Sequence, residues 1–413
     1  MNRPDLDPEL LEDLARRYGT PLYVYDLRVV ARSLAAFSAF DAVRYAVKAN
    51  PNLSILSTLR AGGAVCDAVS AGEVERALAA GFAPADVVYT ADLLDRAAKD
   101  VVARHGLHVN CGSASMIDDV AEIGASRDVT LRVNPGFGDG HDEKVTTGGP
   151  LSKHGIWHED LAAARDRAHA LGLRVTGLHV HIGSGTDTTF LRHTVEAMGD
   201  AVAKFEDDLE RVSCGGGMSF PYRDGDEDFD LGTFASAWRD ARDVWSDRIG
   251  RRLTLEAEPG RLLVAGAGLL LTEVCGTKST GDPAQGGRRF VLVDAGFHTL
   301  QRPLLYGSYH RITAPGREDE PATPQLVAGP LCESADVLTQ TKGGAPDPRP
   351  LPELDRGDLL VVHDVGAYGA AMASCYNSRP LPAEVSIGSD GVPFLSREPL
   401  DVSALVASER IEA

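Results

Sequence analysis

Lys48 closes a short apolar run, Val43-Arg44-Tyr45-Ala46-Val47, which Asn50-Pro51-Asn52 brings to a stop. The run is rich in β-branched and aromatic residues and reads as a buried strand, with Asn-Pro-Asn as its turn. An amine held where water is scarce favours its neutral, nucleophilic form. The chemistry that wants such an amine is Schiff-base formation with a carbonyl, pyridoxal phosphate included. The alternative is a lysine whose stem snorkels to water. Other chemically capable residues also follow short apolar runs: Asp67 with Ser70, His179 and His181, Gly215-Gly216-Gly217, and Glu258-Pro259-Gly260-Arg261.

Each of these has a bland reading beside a chemical one. Three glycines without side chains let backbone N–H groups approach an oxyanion such as phosphate, or they form a tight loop that holds nothing. Gly183-Ser184-Gly185 offers a second such loop. His179 and His181 share one face of a strand. A metal would need further ligands at neighbouring strand ends, whereas His141, His154 and His298 fall in loops, and an imidazole can instead stack on an aromatic cofactor ring. Glu258 either pairs with Arg261 or holds a pyridine nitrogen protonated. Later, Asp294–Pro303 leading to Tyr306, Gly329–Ser334 and Gly366–Gly369 place polar or reactive side chains on glycine-rich turns, where function concentrates.

These residues need elements to hold them. Residues 5–19 are predicted as a helix capped by Asp5 or Asp7 and stopped by Gly19, followed by a strand at Pro21–Tyr25. Eight strands then alternate with helices: Val43–Val47, Ala64–Val69, Asp86–Thr90, Leu107–Cys111, Val129–Asn134, Leu173–Ile182, Arg211–Cys214 and Arg252–Ala257. Glu73–Ala80, Leu161–Leu171 and Phe234–Asp247 are among the helices. Ser70 and Glu73 form a capping box, with Gly81 at the far end. Eight such units predict an α/β fold, a (β/α)8 barrel whose working residues stand at strand C-terminal ends. After Arg261 the texture becomes β-rich, with strands at Leu269–Val274, Arg289–Asp294, Gln325–Ala328 and Asp358–His363, and exposed loops at 278–288 and 341–357.

The 413 residues leave room for two cores. A net charge of −19 argues against nucleic acid or anionic membrane as partner. No apolar run approaches the roughly 18 residues of a membrane span, and the N-terminal stretch does not read as a signal peptide. Six scattered cysteines without a CxxC pair fit a reducing cytoplasm.

Taken together, YAVKAN, CDAVSAGE, HVHIGSG, CGGGMS, EPGR, RPLLYGSYH, GPLCES and GAYGAAMASCYNSRP resemble the alanine-racemase-like fold of pyridoxal phosphate enzymes, and within it the diaminopimelate decarboxylases. The resemblance runs from about residue 20 to 400. It implies a barrel at 27–265 and a β-rich domain formed by 1–26 and 266–413, with active sites at a homodimer interface. It implies pyridoxal 5'-phosphate bonded by Lys48, flanked by Asp67, stacked by His181, paired at its ring nitrogen with Glu258, and held at its phosphate by Gly217, Gly260 and the Tyr368 hydroxyl. Arg261, Arg302 and Tyr306 would take the substrate's distal carboxylate, and Glu333 its distal ammonium. Cys332 would return a proton to the α-carbon. The implied reaction is decarboxylation of meso-2,6-diaminopimelate at its D-centre to L-lysine. Decarboxylases of ornithine, lysine or specialised amino acids, racemases, and non-catalytic pyridoxal phosphate-binding proteins share the fold. Two arginines at the distal end favour a substrate with a carboxylate there, since charge-assisted bonds contribute roughly 1.5–3 kcal/mol each.

Overall fold

A computed structural model describes residues 3–140, 146–184, 188–205, 207–282 and 285–411. His141, Gly185 and part of the 136–154 loop lie outside the described residues. The chain divides into two compact units, one of Met1–Val30, Pro221–Asp226 and Val264–Ala413, the other of Ala31–Phe220 and Glu227–Leu263.

The first unit begins with a helix at Pro8–Tyr18 and strand β1 (Leu22–Asp26). Asp7 caps the helix by accepting from the Glu9 N–H, and Gly19 ends it.

The second unit is a closed barrel. Its strands are β2 (Ala42–Ala46), β3 (Val65–Ala68), β4 (Val87–Ala91), β5 (His108–Cys111) and β6 (Asp128–Asn134), then, after a two-residue strand β7 (Ile156–Trp157), β8 (Arg174–Val180), β9 (Arg211–Ser213) and β10 (Thr254–Ala257). They run parallel in the order β5-β4-β3-β2-β10-β9-β8-β6, and β5 pairs with β6 to close the ring. Side chains of Asn52, Ser70, Asp95, Ser113 and Asp230 cap the helices that follow the strands, and Gly106, Gly124 and Gly250 end theirs in the left-handed conformation. The capping box at Ser70 is modified. Ser70 Oγ accepts from the Glu73 N–H at 3.2 Å, but Glu73 reaches back to the Val69 N–H at 2.8 Å, not to that of Ser70.

Inside the barrel lies an ion pair that pattern reading did not single out. Arg44 on β2 donates two bonds to Glu256 on β10, at 2.7 and 2.9 Å, with both residues buried. Removing one partner strands the other charge, so Glu256→Gln is expected to destabilise the barrel by about 3–5 kcal/mol. Urea unfolding checks this; a loss below about 1 kcal/mol would mean that water reaches the pair.

The first unit resumes with β11 (Gly268–Ser279), β12 (Arg289–Val293), β13 (Ile312–Thr313), β14 (Thr323–Ala328), β15 (Arg349–Leu351), β16 (Leu359–Val362), β17 (Ala383–Ile387) and β18 (Pro393–Arg397). β11 is the spine. Its first half pairs antiparallel with β1 and β16 and its second half with β12, the register shifting between Val274 and Gly276. β1 is inserted between β11 and β17, antiparallel to one and parallel to the other. Leu11, Leu14, Leu22, Val24, Leu269, Leu271, Val361, Val385 and Ile387 form the core against that sheet. Two expected loops need correction. β11 runs on to Ser279, and Arg349–Leu351 pairs with β14, burying Arg349 and Leu351 despite the prolines around them. Pro350 faces outward between them, a position where a missing N–H is tolerated at a sheet edge.

Candidate active site

Lys48 stands on a 3-10 turn, Val47–Ala49, immediately after β2. Val47 and Ala49 are buried, but Lys48 is exposed. The expectation of a poorly solvated lysine on a strand end is therefore corrected: the ladder ends at Ala46 and the turn carries the side chain clear of the sheet. Gly260 packs under this turn, since a Cβ there would lie 3.1 Å from Ala49 Cβ and 3.2 Å from Ala46 Cβ.

The neighbouring strand ends hold two buried carboxylates. Glu258 accepts from Ser213 Oγ at 2.7 Å and has His179 Nε2 2.9 Å away. Burial pushes the Glu258 pKa up, but His179 and the Ser213 hydroxyl outweigh it and hold the carboxyl at about 2. Asp67 is shifted the other way, raised by burial and by the charge of Glu258, while Lys48 pulls it down. Two carboxylates this close divide their roles: Glu258 is the anion, and Asp67 keeps its proton more readily. Of the two readings of Glu258, the ion pair with Arg261 gives way to these partners, and Arg261 donates to Ser184 Oγ at 3.1 Å.

His179 and His181 separate at the end of β8. His179 faces Glu258, whereas His181 lies just beyond the strand and accepts the Gly216 N–H on Nδ1 at 3.1 Å. Burial and the charges of Arg132 and Lys48 hold His181 well below the ordinary imidazole range. The ring is a neutral aromatic plate with its proton on Nε2. Among the described residues no three His, Cys, Asp or Glu side chains converge as a metal site.

The Gly215–Gly217 loop is glycine for a steric reason. A Cβ would stand 2.1 Å from Val180 O at Gly215, 2.2 Å from Glu258 O at Gly216 and 2.1 Å from Gly183 O at Gly217. Backbone packing alone excludes side chains there, and the loop is pinned by its own N–H groups, Gly215 donating to Ser213 Oγ at 3.1 Å and Gly216 to His181 Nδ1 at 3.1 Å.

Arg132 is the largest omission of the sequence reading. It is buried on β6, lowered by its own desolvation, and its charge is felt by Asp92, Glu258 and Asp67. The available signal was the period-two polar series Thr130, Arg132, Asn134 on one face of that strand. Asp92, past the end of β4, was also missed. It bonds His154 Nδ1 and accepts the Gly155 N–H at 3.0 Å, tying down the end of the loop that begins at Gly136. Arg132 Nε and Asp67 Oδ1 are buried without hydrogen-bond partners. Such atoms are rare. With a primary amine, an ionised carboxylate, a neutral imidazole and a glycine cradle around them, they fit a flat, anionic, nitrogen-containing cofactor.

The β-rich unit carries the remaining predicted residues. Arg302 opens a short helix, Arg302–Tyr306, and is buried. Tyr306 ends that helix partly exposed before Gly307 turns left-handed. Cys332 and Glu333 are exposed at the tip of the Gly329–Ser334 turn. Asp336 fastens this turn to the Asp294–Pro303 stretch by accepting from Leu331 N at 2.8 Å and Phe297 N at 2.7 Å. Asn377, itself left-handed, accepts the Cys332 N–H at 3.1 Å. Tyr368 also has a positive φ, 59°, a strained conformation for a tyrosine that surrounding structure must hold.

Comparison with known proteins assigns this arrangement. Residues 27–265 match the pyridoxal binding domain of the pyridoxal-dependent decarboxylases. The chain is 46% identical to the diaminopimelate decarboxylase of Escherichia coli strain K12, over 98% of this chain and 97% of that one. It is 45% identical to that of Streptomyces coelicolor, over 98% and 92%. Its fold is similar to a crystal structure of diaminopimelate decarboxylase at TM-score 0.92 and 46% identity, covering 96% and 95% of the chains. It is also similar to the Helicobacter pylori enzyme complexed with L-lysine, at TM-score 0.83 and 29% identity over 96% and 98%. With a barrel whose rim presents a lysine, an ionised glutamate and a glycine cradle, the chain belongs to the diaminopimelate decarboxylase family of pyridoxal-dependent decarboxylases.

Proposed function

We propose that the protein removes CO2 from the D-centre of meso-diaminopimelate and releases L-lysine, the last step of lysine synthesis. The observation that carries this reading is 46% identity to a diaminopimelate decarboxylase across 98% of the chain, together with Arg302 and Tyr306 on one short helix. Pyridoxal phosphate, when bound, supplies the sink for the electron pair that departing CO2 leaves behind. Lys48 supplies the amine that bonds the cofactor's aldehyde carbon. His181 offers a neutral flat face, and Glu258 a buried anion that holds a proton on the ring nitrogen. Asp67 and Arg132 would meet its polar edge. Gly217, Gly260 and Tyr368 take the phosphate, with Arg261 beside them.

Arg302 and Tyr306 take the distal carboxylate of the substrate, joined by Arg261, and Glu333 its ammonium. Cys332 delivers a proton to the α-carbon, from a turn exposed enough to enter the site of a second subunit. The active form is accordingly a homodimer, working in the cytoplasm. The cofactor-binding domain is residues 27–265, with 1–26 and 266–413 forming the other; compactness instead puts 27–30, 221–226 and 264–265 with the β-rich unit.

The test is CO2 release from meso-diaminopimelate by protein supplied with pyridoxal phosphate, beside L-lysine, L-ornithine and their D-forms. Release from diaminopimelate alone is expected. Release from a simple diamino acid alone would keep the barrel chemistry and overturn the roles given to Arg261 and Arg302.

A further inference from the structure

Arg302 does not stand alone in the β-rich unit. Its Nη1 lies 3.1 Å from Nε2 of His310, a residue buried to the same degree. The other ring nitrogen of His310, Nδ1, lies 2.9 Å from the carbonyl oxygen of His363. A carbonyl only accepts, so Nδ1 carries the hydrogen, and Nε2 must then be bare and accept from the guanidinium. His310 is thus fixed as a neutral acceptor facing a cation. The carbonyl that fixes it belongs to a residue that is itself held: His363 lies 3.2 Å from Arg311 Nη2 through Nδ1 and 2.8 Å from Thr313 Oγ1 through Nε2. Tyr222 completes the seat. Its ring lies under the guanidinium, 4.7 Å from centroid to Cζ, and meets His310 edge-on at 5.4 Å.

We infer that His310 is a positioning residue for substrate recognition: it orients Arg302 so that the guanidinium is prepared for the carboxylate at the far end of the substrate. An arginine has a long stem with several rotatable bonds, and fixing it before the ligand arrives removes an ordering cost from binding. The bond engages one of the five N–H donors that a guanidinium carries. This inference rests on the distal-carboxylate role proposed for Arg302. It adds that the selectivity depends on a residue that never touches the substrate.

The position allows a clean dissection. His310→Phe keeps a ring against Tyr222 but removes the acceptor, and His310→Gln returns an acceptor oxygen. The distal carboxylate is remote from the reacting carbon and is bound alike in ground and transition states. Its loss therefore raises KM and leaves kcat nearly unchanged. For His310→Phe we expect KM for meso-diaminopimelate to rise by about tenfold with kcat within twofold, equivalent to about 1.4 kcal/mol. Inhibition by L-lysine, which retains a carboxylate, should weaken by the same factor. Inhibition by cadaverine, which has none, should not change, and His310→Gln should recover most of the loss.

Equal weakening of L-lysine and cadaverine, or a fall in kcat at constant KM, would overturn the inference; circular dichroism and gel filtration confirm that each variant is folded. Arg302→Gln separates the two levels of the reading. If that change leaves KM and lysine inhibition unaltered, the role of Arg302 fails and the inference falls with it. If Arg302→Gln weakens both ligands that carry the carboxylate and His310→Phe weakens neither, only the inference fails.

Discussion

Lys48→Ala is expected to lower kcat for meso-diaminopimelate by at least about 10³-fold, equivalent to about 4 kcal/mol of transition-state stabilisation. The side chain is exposed and its turn is built by Val47, Ala49 and Gly260, so the fold should be unaffected. The loss therefore reports chemistry. The lysine has two separable effects: it is a nucleophile, and its charge lowers Asp67 and His181. Lys48→Arg keeps the cation without a nucleophilic amine and should be as inactive as the alanine variant. The measurement is CO2 release at saturating substrate, with the visible absorbance of bound pyridoxal phosphate recorded alongside. Arginine restoring more than a tenth of the activity would reduce Lys48 to an electrostatic role.

Glu258→Gln is expected to cost about 10²–10⁴-fold in kcat, the range for loss of a group that controls a proton in the reaction. The amide is nearly isosteric and its oxygen still accepts from Ser213, so the geometry survives and only the charge is removed. Asp67 then loses the anion that raised its pKa and returns toward the ordinary carboxylate range. A stability signature accompanies the kinetic one. The folded Glu258 titrates at about 2, below its unfolded value of 4.5. Its contribution is therefore present above pH 4.5 and lost as the pH falls toward 2. Acid unfolding of the wild type should be steeper across that window than that of Glu258→Gln. Asp67 acts with the opposite sign, favouring the fold while protonated and losing that contribution as the pH rises through its raised value. A variant within twofold of wild-type kcat would remove Glu258 from the chemistry.

Much of the barrel was legible because its signals are local. A short apolar strand followed by a helix recurs along the barrel, and one of these repeats announces its helix through the capping pair Ser70 and Glu73 and the stop at Gly81. The rim residues were legible for the same reason, since a polar residue after an apolar run marks a strand end. What escaped the reading depends on partners distant in sequence. Lys48 looked desolvated because nothing local shows that Val47–Ala49 winds into a turn over Gly260, more than 200 residues away. Arg132 and Arg44 looked like ordinary strand cations, and only barrel closure buries them against Asp92 or Glu256. Arg349–Leu351 looked like loop because its pairing partner, β14, is what makes it a strand. The resemblance to a known family supplied the roles of Cys332, Glu333, Arg302 and Tyr368, which no pattern in those turns would have assigned.

The place of β1 in its sheet has a consequence for how the protein is made. β1 leaves the ribosome before both of its neighbours, and one of them, β17, begins 361 residues later, at Ala383 against Leu22. At about 5–20 residues per second, β17 follows roughly 20–70 s after β1. In that interval residues 31–263 are complete and can close into a barrel, while Leu22, Val24 and the apolar face of the first helix wait without their sheet. A nascent chain with exposed strand edges is a chaperone substrate. Moving Met1–Asp26 to follow Arg397, in a circularly permuted chain, should leave the folded protein unchanged and raise its yield when chaperones are limiting.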